Sequence, residues 1–211
     1  MKAEIVGIGT ELLCGEIVDA NSPYLAEQLR LLGVDLIRIT LVKDDSEALQ
    51  GVLQRSLERC DLVISVGGLG PTEDDITREA IARTMGEKMY VDPDLEKWIR
   101  GVFKRLGREM PAENIKQAML IPSAHPILNP RGTAPGWWVK KGEKTLLALP
   151  GPPRELQRMW EKQIIPELRS RLTGEVILCR TIKTWGLSQS RVDELVSPVF
   201  SSPNPALGVY A

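Results

Sequence analysis

Residues 61–77 have the sequence DLVISVGGLGPTEDDIT, in which a β-branched apolar run passes into a glycine-rich, acidic loop. The apolar run predicts a short buried strand, and a helical pattern follows from residue 77 to residue 85. Ligands of open α/β sheets bind at the carboxyl ends of strands, where a helix N-terminus favours anions. The stretch therefore predicts both an α/β fold and a ligand-binding loop.

The chain before this loop repeats the alternation of strand and helix. Apolar runs at 3–8 and 34–42 predict strands, and amphipathic patterns at 21–32 and 46–60 predict helices. The first helix has Asn21-Ser22-Pro23 at its start, which is typical of a capped N-terminus. Together with the strand at 61–66, these segments predict a right-handed, parallel βαβαβ unit with helices on both faces.

Downstream, the patterns predict helices at 92–106, 111–119, 152–172 and 188–199, a hairpin across 137–149, and a strand at 175–185. The hairpin makes the sheet mixed. We therefore expect an α/β fold of three layers, α/β/α, with a mostly parallel sheet and a mixed hairpin. Residues 1–172 would form this domain, and residues 173–211 would begin a small α+β lobe.

Composition excludes several classes of protein. The 211 residues include 27 Lys+Arg and 28 Asp+Glu, so the net charge is close to zero. The protein therefore has no overall positive field that would attract nucleic acid or an anionic membrane. A disulfide framework and a zinc site are both improbable, because the chain has only three scattered cysteines and a single histidine: Cys14, Cys60, Cys179 and His125. Because no apolar run is long enough to span a bilayer, we expect a cytoplasmic protein that binds neither membrane nor nucleic acid.

Two surface features have simple interpretations. Arg100, Lys104 and Arg108 recur four residues apart on a predicted helix, which favours a solvated face. Trp137 and Trp138 are adjacent in a predicted strand and must point to opposite faces. One is expected in the core, and the other is then available for a subunit contact or for stacking on a base.

The 67–77 loop combines glycines with carboxylates. The amides of Gly67, Gly68 and Gly70, with Thr72, would approach a phosphate closely. Asp74 and Asp75 would repel that phosphate unless a cation lay between them, so the combination favours Mg²⁺ bridging a phosphoryl group. Asp75 would be a metal ligand or a base. Alternatively, one aspartate only caps the helix and the glycines only form a turn.

Three further loops share this character. Residues 9–21 (GTELLCGEIVDAN) mix glycines and carboxylates, residues 129–136 (NPRGTAPG) are small, and residues 149–155 (LPGPPRE) form a rigid turn before a helix. Arg131 and Arg154 suit a phosphate or a carboxylate. Neither a Walker loop nor a dinucleotide-binding G-x-G-x-x-G is present.

Across these four motifs the chain resembles the molybdopterin-binding fold shared by MogA, MoaB, gephyrin and MoeA, and within it the N-terminal domains of the CinA (competence/damage-inducible) family. The 67–77 motif is similar across the whole superfamily, whereas 149–155 and the extended 9–21 loop resemble the CinA branch. The resemblance covers essentially the whole chain.

The resemblance implies metal-dependent hydrolysis of ADP-ribose to AMP and ribose 5-phosphate. Asp75 and Asp44 match aspartates that MogA-like enzymes use, and the cofactor would be Mg²⁺, Mn²⁺ or Co²⁺, with K⁺ as a further candidate cation. The family resemblance also implies a homodimer. It implies that full-length relatives continue through the small lobe into a nicotinamide-mononucleotide deamidase domain, which this chain would lack.

The resulting hypothesis is hydrolysis of a nucleoside diphosphate sugar at its pyrophosphate. Asp75, Asp44 and Asp74 are the candidate catalytic residues, and Asp75 and Asp74 the candidate metal ligands. The candidate substrate-binding residues are Gly67, Gly68, Gly70, Thr72, Thr10, Glu11, Asp19, Asn21, Arg131, Gly132, Thr133, Gly151 and Arg154. Two alternatives stay open: molybdopterin binding or adenylylation at the same loop, and a non-catalytic, nucleotide-binding regulatory module.

Overall fold

The computed structural model describes residues 1–172, 180–202 and 204–210. The chain divides into two compact units, residues 1–177 and 178–211. The predicted boundary at 172/173 adjoins residues 173–179, which lie outside the described residues and include Cys179. The predicted strand 175–185 lies partly in that segment, and its described part, 180–185, forms no strand. No helix among the described residues has both the length and the apolar character needed to span a membrane.

The first unit alternates strands and helices, as the sequence predicts. Its strands are β1 (Lys2–Ile8), β2 (Asp35–Val42), β3 (Leu62–Val66), β4 (Tyr90–Val91), β5 (Met119–Leu120), β6 (Ala124–Ile127), β7 (Gly136–Lys141) and β8 (Lys144–Leu149). Its helices are α1 (Thr10–Leu13), α2 (Asn21–Leu31), α3 (Ser46–Arg59), α4 (Thr77–Met85), α5 (Pro93–Arg105), α6 (Pro153–Met159) and α7 (Ile165–Arg169), with a 3₁₀ helix at Ala112–Ala118 and a π-helical turn at Trp160–Ile164. In the second unit, α8 (Gln189–Phe200) begins after the Ser188 cap.

Helix starts follow from short polar side chains. Asp45 and Asp92 accept hydrogen bonds from the backbone N–H groups of Ala48 and Leu95, and so cap α3 and α5. At α2 the structure differs from the cap that Asn21-Ser22 predicts. Asp19, rather than Asn21 or Ser22, accepts the backbone N–H groups at the helix start.

The central sheet has the strand order β2-β1-β3-β8-β7-β6. β2, β1, β3 and β8 are parallel, while β7 is antiparallel to both β8 and β6. The predicted parallel sheet with a mixed hairpin is confirmed. β6 therefore runs in the same direction as β8, so five strands end at one edge of the sheet.

Helices cover both faces of the sheet and bury two apolar clusters. α3, α4 and α5 pack on one face, and α2 with the helical segment 153–169 packs on the other. Trp137 lies in the first cluster and Trp138 in the second, with exposed fractions of 0% and 2%. The prediction that one tryptophan is available for a base or a subunit is therefore wrong, because both faces of the sheet are covered.

Candidate functional site

A cavity of about 400 Å³ opens at the sheet edge where the parallel strands end. Its floor lies over β1 and β3, where the strand order reverses, which is the usual ligand position in open α/β sheets. All four loops singled out from the sequence contribute to its walls. The lining residues are Ile8, Gly9, Glu11, Asp44, Gly67, Gly68, Leu69, Gly70, Pro71, Asp74, Asp75, Gln117, Thr133, Ala134, Pro150, Gly151, Pro152 and Glu155.

Asp75 holds the 67–77 loop in shape. One carboxylate oxygen accepts the Gly70 N–H at 2.7 Å, and the other accepts the N–H and the hydroxyl of Thr72 at 2.9 and 2.5 Å. Asp75 does not cap α4, whose first residue is preceded by Ile76. These three donors fix the orientation of both oxygens of the Asp75 carboxylate.

The glycines of this loop serve close packing more than they serve a ligand. The Gly67 N–H donates to the Leu149 carbonyl, so it and the Gly70 N–H are used inside the fold. Gly68 has a φ of +62°, and a Cβ there would lie 2.4 Å from the Thr77 hydroxyl oxygen. The predicted phosphate cradle thus lacks two of its three glycine amides.

Asp74 and Asp44 lie on different loops of the same cavity. Asp44, after β2, accepts the Thr10 N–H at 2.8 Å and the Thr10 hydroxyl at 2.9 Å, which joins the ends of β1 and β2. The Thr72 hydroxyl, together with the backbone N–H of Asp74 itself, holds the pKa of Asp74 below its ordinary value. The Asp74 carboxylate is therefore ionised at neutral pH.

The end of the 9–21 loop is tied to the 149–155 loop, whereas its beginning lines the cavity through Gly9 and Glu11. Asn21 donates its side-chain amide to the Gly151 carbonyl at 2.8 Å. Asp19 is occupied as the cap of α2. Neither residue lines the cavity, so within the described structure both fix the wall of the site from behind.

A second cavity, of about 560 Å³, lies beside the first and has the opposite charge character. It is lined by Arg131, Pro152, Pro153, Arg154 and Glu155. Pro152 and Glu155 line both cavities. An acidic cavity and an arginine-lined cavity therefore share one wall.

Arg78 is fully buried behind the first cavity. Its guanidinium donates to the carbonyls of Leu69 and Pro135 at 2.8 and 2.9 Å, and so joins the 67–77 and 129–136 loops. Burial lowers the pKa of Arg78 to about 10, which leaves it protonated at neutral pH. No carboxylate in the described part of the chain lies within ion-pair distance of it, and it packs 6.0 Å from the Trp137 ring centroid.

The chemistry of the first cavity fits a hard divalent cation. Among the described residues its walls contain five carboxylates and no lysine or arginine. Yet no three acidic, histidine or cysteine side chains of the described structure are arranged to hold a metal ion by themselves. Mg²⁺ is commonly held by one or two carboxylates plus substrate phosphates and water. The residues present therefore fit a metal whose coordination a bound phosphate would complete.

The structure brings together most, but not all, of the residues singled out from the sequence. Glu11, Thr133, Gly151 and the glycines of the 67–77 loop line the first cavity with the aspartates, and Arg131 and Arg154 line the second. Five predicted residues line neither cavity: Thr10, Thr72, Asp19, Asn21 and Gly132. Sequence reasoning missed Glu155, Gln117 and Arg78. Glu155 is the last residue of the quoted 149–155 motif and Arg78 directly follows the 67–77 motif, whereas nothing in the sequence around Gln117 marks it.

Comparison with known proteins agrees with this architecture. A family model described as "Probable molybdopterin binding domain" matches residues 4–170. A CinA-like protein of Deinococcus radiodurans is 48% identical over 214 residues, covering 100% of this chain and 52% of that protein. A CinA-like protein of Thermomicrobium roseum is 42% identical over 211 residues, with the same two coverages. The chain therefore spans about half the length of these curated relatives.

Solved structures give the same result. The crystal structure of the protein CinA from Thermoplasma acidophilum has a TM-score of 0.73 and 34% identity, and the match covers 79% of this chain and 98% of that one. MoaB from Thermus thermophilus has a TM-score of 0.54 and 22% identity, covering 84% and 99%. This second likeness concerns the fold alone.

Proposed function

Because the chain belongs to the molybdopterin-binding domain family and to its CinA-like branch, we propose that it hydrolyses the pyrophosphate linkage of a nucleoside diphosphate sugar, with ADP-ribose giving AMP and ribose 5-phosphate. The observation that carries the proposal is the pair of adjoining cavities, one acidic and one lined by arginines. A pyrophosphate has two phosphoryl groups that need different partners when one of them binds a metal. The two cavities offer those partners side by side.

Asp75 and Asp74 would hold the divalent ion, Mg²⁺, Mn²⁺ or Co²⁺, with Asp44 on the opposite loop. When bound, such an ion polarises a phosphoryl oxygen and neutralises its charge. The hydrogen bonds that Asp75 and Asp44 accept hold their carboxylates in a fixed orientation, which lowers the reorganisation needed on binding. A role for K⁺ and assembly as a homodimer are part of the same proposal.

Arg131 and Arg154 would neutralise the charge that develops on the departing phosphate. Both are exposed and line the second cavity. A guanidinium can contact two phosphate oxygens at once, which suits a leaving phosphate monoester. The Glu11 and Thr133 side chains would contact the remainder of the nucleotide.

The test is AMP release from ADP-ribose by the purified chain with each of the three metals, with EDTA as the metal-free control. Asp75→Asn should lower turnover by about 10²-fold or more, the loss expected for a removed catalytic group. Asp94→Asn, an exposed aspartate at the start of α5, should leave turnover unchanged.

Two other results would refute the hydrolase proposal. Binding of ADP-ribose without turnover under any metal would indicate a nucleotide-binding regulatory module. Binding of a pterin in place of ADP-ribose would favour the molybdopterin alternative, which the description of the family model supports.

A further inference from the structure

Glu155 is the ionisable residue common to both cavities. Pro152 and Glu155 line the acidic and the arginine-lined cavity alike, and proline has no titratable group. A substrate that extends from one cavity into the other must pass the Glu155 carboxylate. Within the proposed function, this is the position of the bond between the two phosphoryl groups.

The orientation of Glu155 is fixed by a buried amide. Asn129 is 1% exposed and donates its side-chain N–H₂ to Glu155 Oε2 at 2.6 Å and to the Ala134 carbonyl at 3.1 Å. Its amide oxygen accepts the backbone N–H groups of Arg131 and Gly132, both at 3.0 Å. Every hydrogen-bonding group of the Asn129 side chain is used, so it can only donate to Glu155.

The close approach of Gly132 completes this support. A Cβ at that position would lie 2.4 Å from Glu155 Oε2 and 2.7 Å from Asn129 Nδ2, so only glycine leaves room for the bond. The 129–136 loop is thus built around one oxygen of Glu155. In the described part of the chain, the other oxygen, Oε1, accepts no hydrogen bond and lies near no cation.

Glu155 therefore differs from the aspartates of the cavity. Asp75 accepts three hydrogen bonds, which engage both of its oxygens, and Asp44 accepts two from Thr10, so donors within the fold already occupy these carboxylates. Glu155 is half-buried, accepts one bond from a neutral amide, and keeps an oxygen free. It has the fixed orientation and the open lone pairs that a proton acceptor needs.

We propose that Glu155 is the general base of the reaction and accepts the proton of the attacking water. The proposal rests on the proposed pyrophosphatase function. Water attacks one phosphorus, a new P–O bond forms, and the water O–H bond breaks as its proton passes to Glu155 Oε1. The bridging P–O bond breaks, and its electron pair leaves with the phosphate monoester. Glu155 then returns the proton to solvent.

The experiment compares the wild type with Glu155→Gln, in which the amide oxygen still accepts the Asn129 bond. Turnover of ADP-ribose should fall by about 10²–10⁴-fold, the usual contribution of a general base. The Kd of ADP-ribose with Mg²⁺ should change by less than about threefold, because the charge that is lost does not bind the substrate. Glu161→Gln, on the exposed side of the adjoining π-helical turn, is the matched control and should behave as the wild type.

A second variant separates chemistry from folding. Glu155→Ala should be inactive, and added formate should restore part of its turnover by supplying a carboxylate in the vacated space. If Glu155→Gln turns over at the wild-type rate, or loses turnover only in step with ADP-ribose affinity, the base assignment is overturned while the pyrophosphatase proposal stands. If the wild type releases no AMP with any metal, both proposals fail.

Discussion

Arg78→Met tests whether a buried guanidinium holds two of the site loops together. The wild-type side chain is 0% exposed and donates to the carbonyls of Leu69 and Pro135 at 2.8 and 2.9 Å. Methionine has a similar length and apolar character but no donor. The substitution therefore leaves two buried carbonyl groups without their partner while filling most of the space.

The expected cost follows from opposing contributions. Each buried acceptor that loses its partner costs about 1–3 kcal/mol. Against this, removing a buried charge without an ion-pair partner recovers part of its desolvation cost, which is several kcal/mol in real proteins. We expect a net loss of roughly 2–4 kcal/mol in the free energy of unfolding, because charged donors make the stronger hydrogen bonds. For a chain of this length, that corresponds to a Tm lower by about 4–16 °C.

Urea unfolding followed by tryptophan fluorescence measures this directly, since Trp137 packs against Arg78. Arg83→Met, an exposed position on the same helix, is the matched control and should stay within about 0.5 kcal/mol of the wild type. An Arg78→Met protein as stable as the wild type would refute the reasoning, because it would show that the two carbonyl bonds only offset the cost of burying the charge.

Two further predictions concern ionisable groups away from the site. Arg59→Met should lower the free energy of unfolding by roughly 3–5 kcal/mol in urea titrations, because it removes the ion-pair partner of the fully buried Glu4 carboxylate. In the described structure, the Thr40 hydroxyl would then be the only close side-chain oxygen or nitrogen donor to Glu4. A loss below about 1 kcal/mol would contradict this prediction. Burial lowers the pKa of His125 below 6.5, so the unfolded chain binds the proton more readily, and wild-type stability should decline as pH falls below about 6.5. His125→Phe, which keeps a ring stacked on Trp138, should reduce that decline, and parallel pH profiles of the urea midpoint would argue against the assignment.

Long, periodic segments were predictable because burial on one face imposes the period. The stripes of α3 and α5 and the apolar run of β3 each match an element of the structure to within a residue or two. The short strands were not predictable in this way. β4 and β5 have two residues each, and β6 contains Pro126. Their pairing partners, not their local sequence, make them strands.

The place of the site was also predictable, whereas its internal contacts were not. Parallel strands bring their carboxyl ends to one edge, so the four motif loops had to meet. Nothing local indicates that Asp75 turns back onto Gly70, or that Asn129 reaches Glu155, 26 positions away in the chain. Such contacts depend on which loops become neighbours in the folded chain. The spacing of residues along the sequence does not indicate which loops those are.

The motif residues divide into those that face the cavities and those that hold the loops in place. Asn21 joins the first loop to the fourth, Arg78 the second to the third, and Asn129 the third to the fourth. Because these cross-links are hydrogen bonds to backbone carbonyls or to a single carboxylate oxygen, each loop position depends on its neighbours. A substitution at a cross-link should therefore change ligand affinity without removing any group that touches the ligand, whereas Glu155→Gln should change turnover at nearly constant affinity.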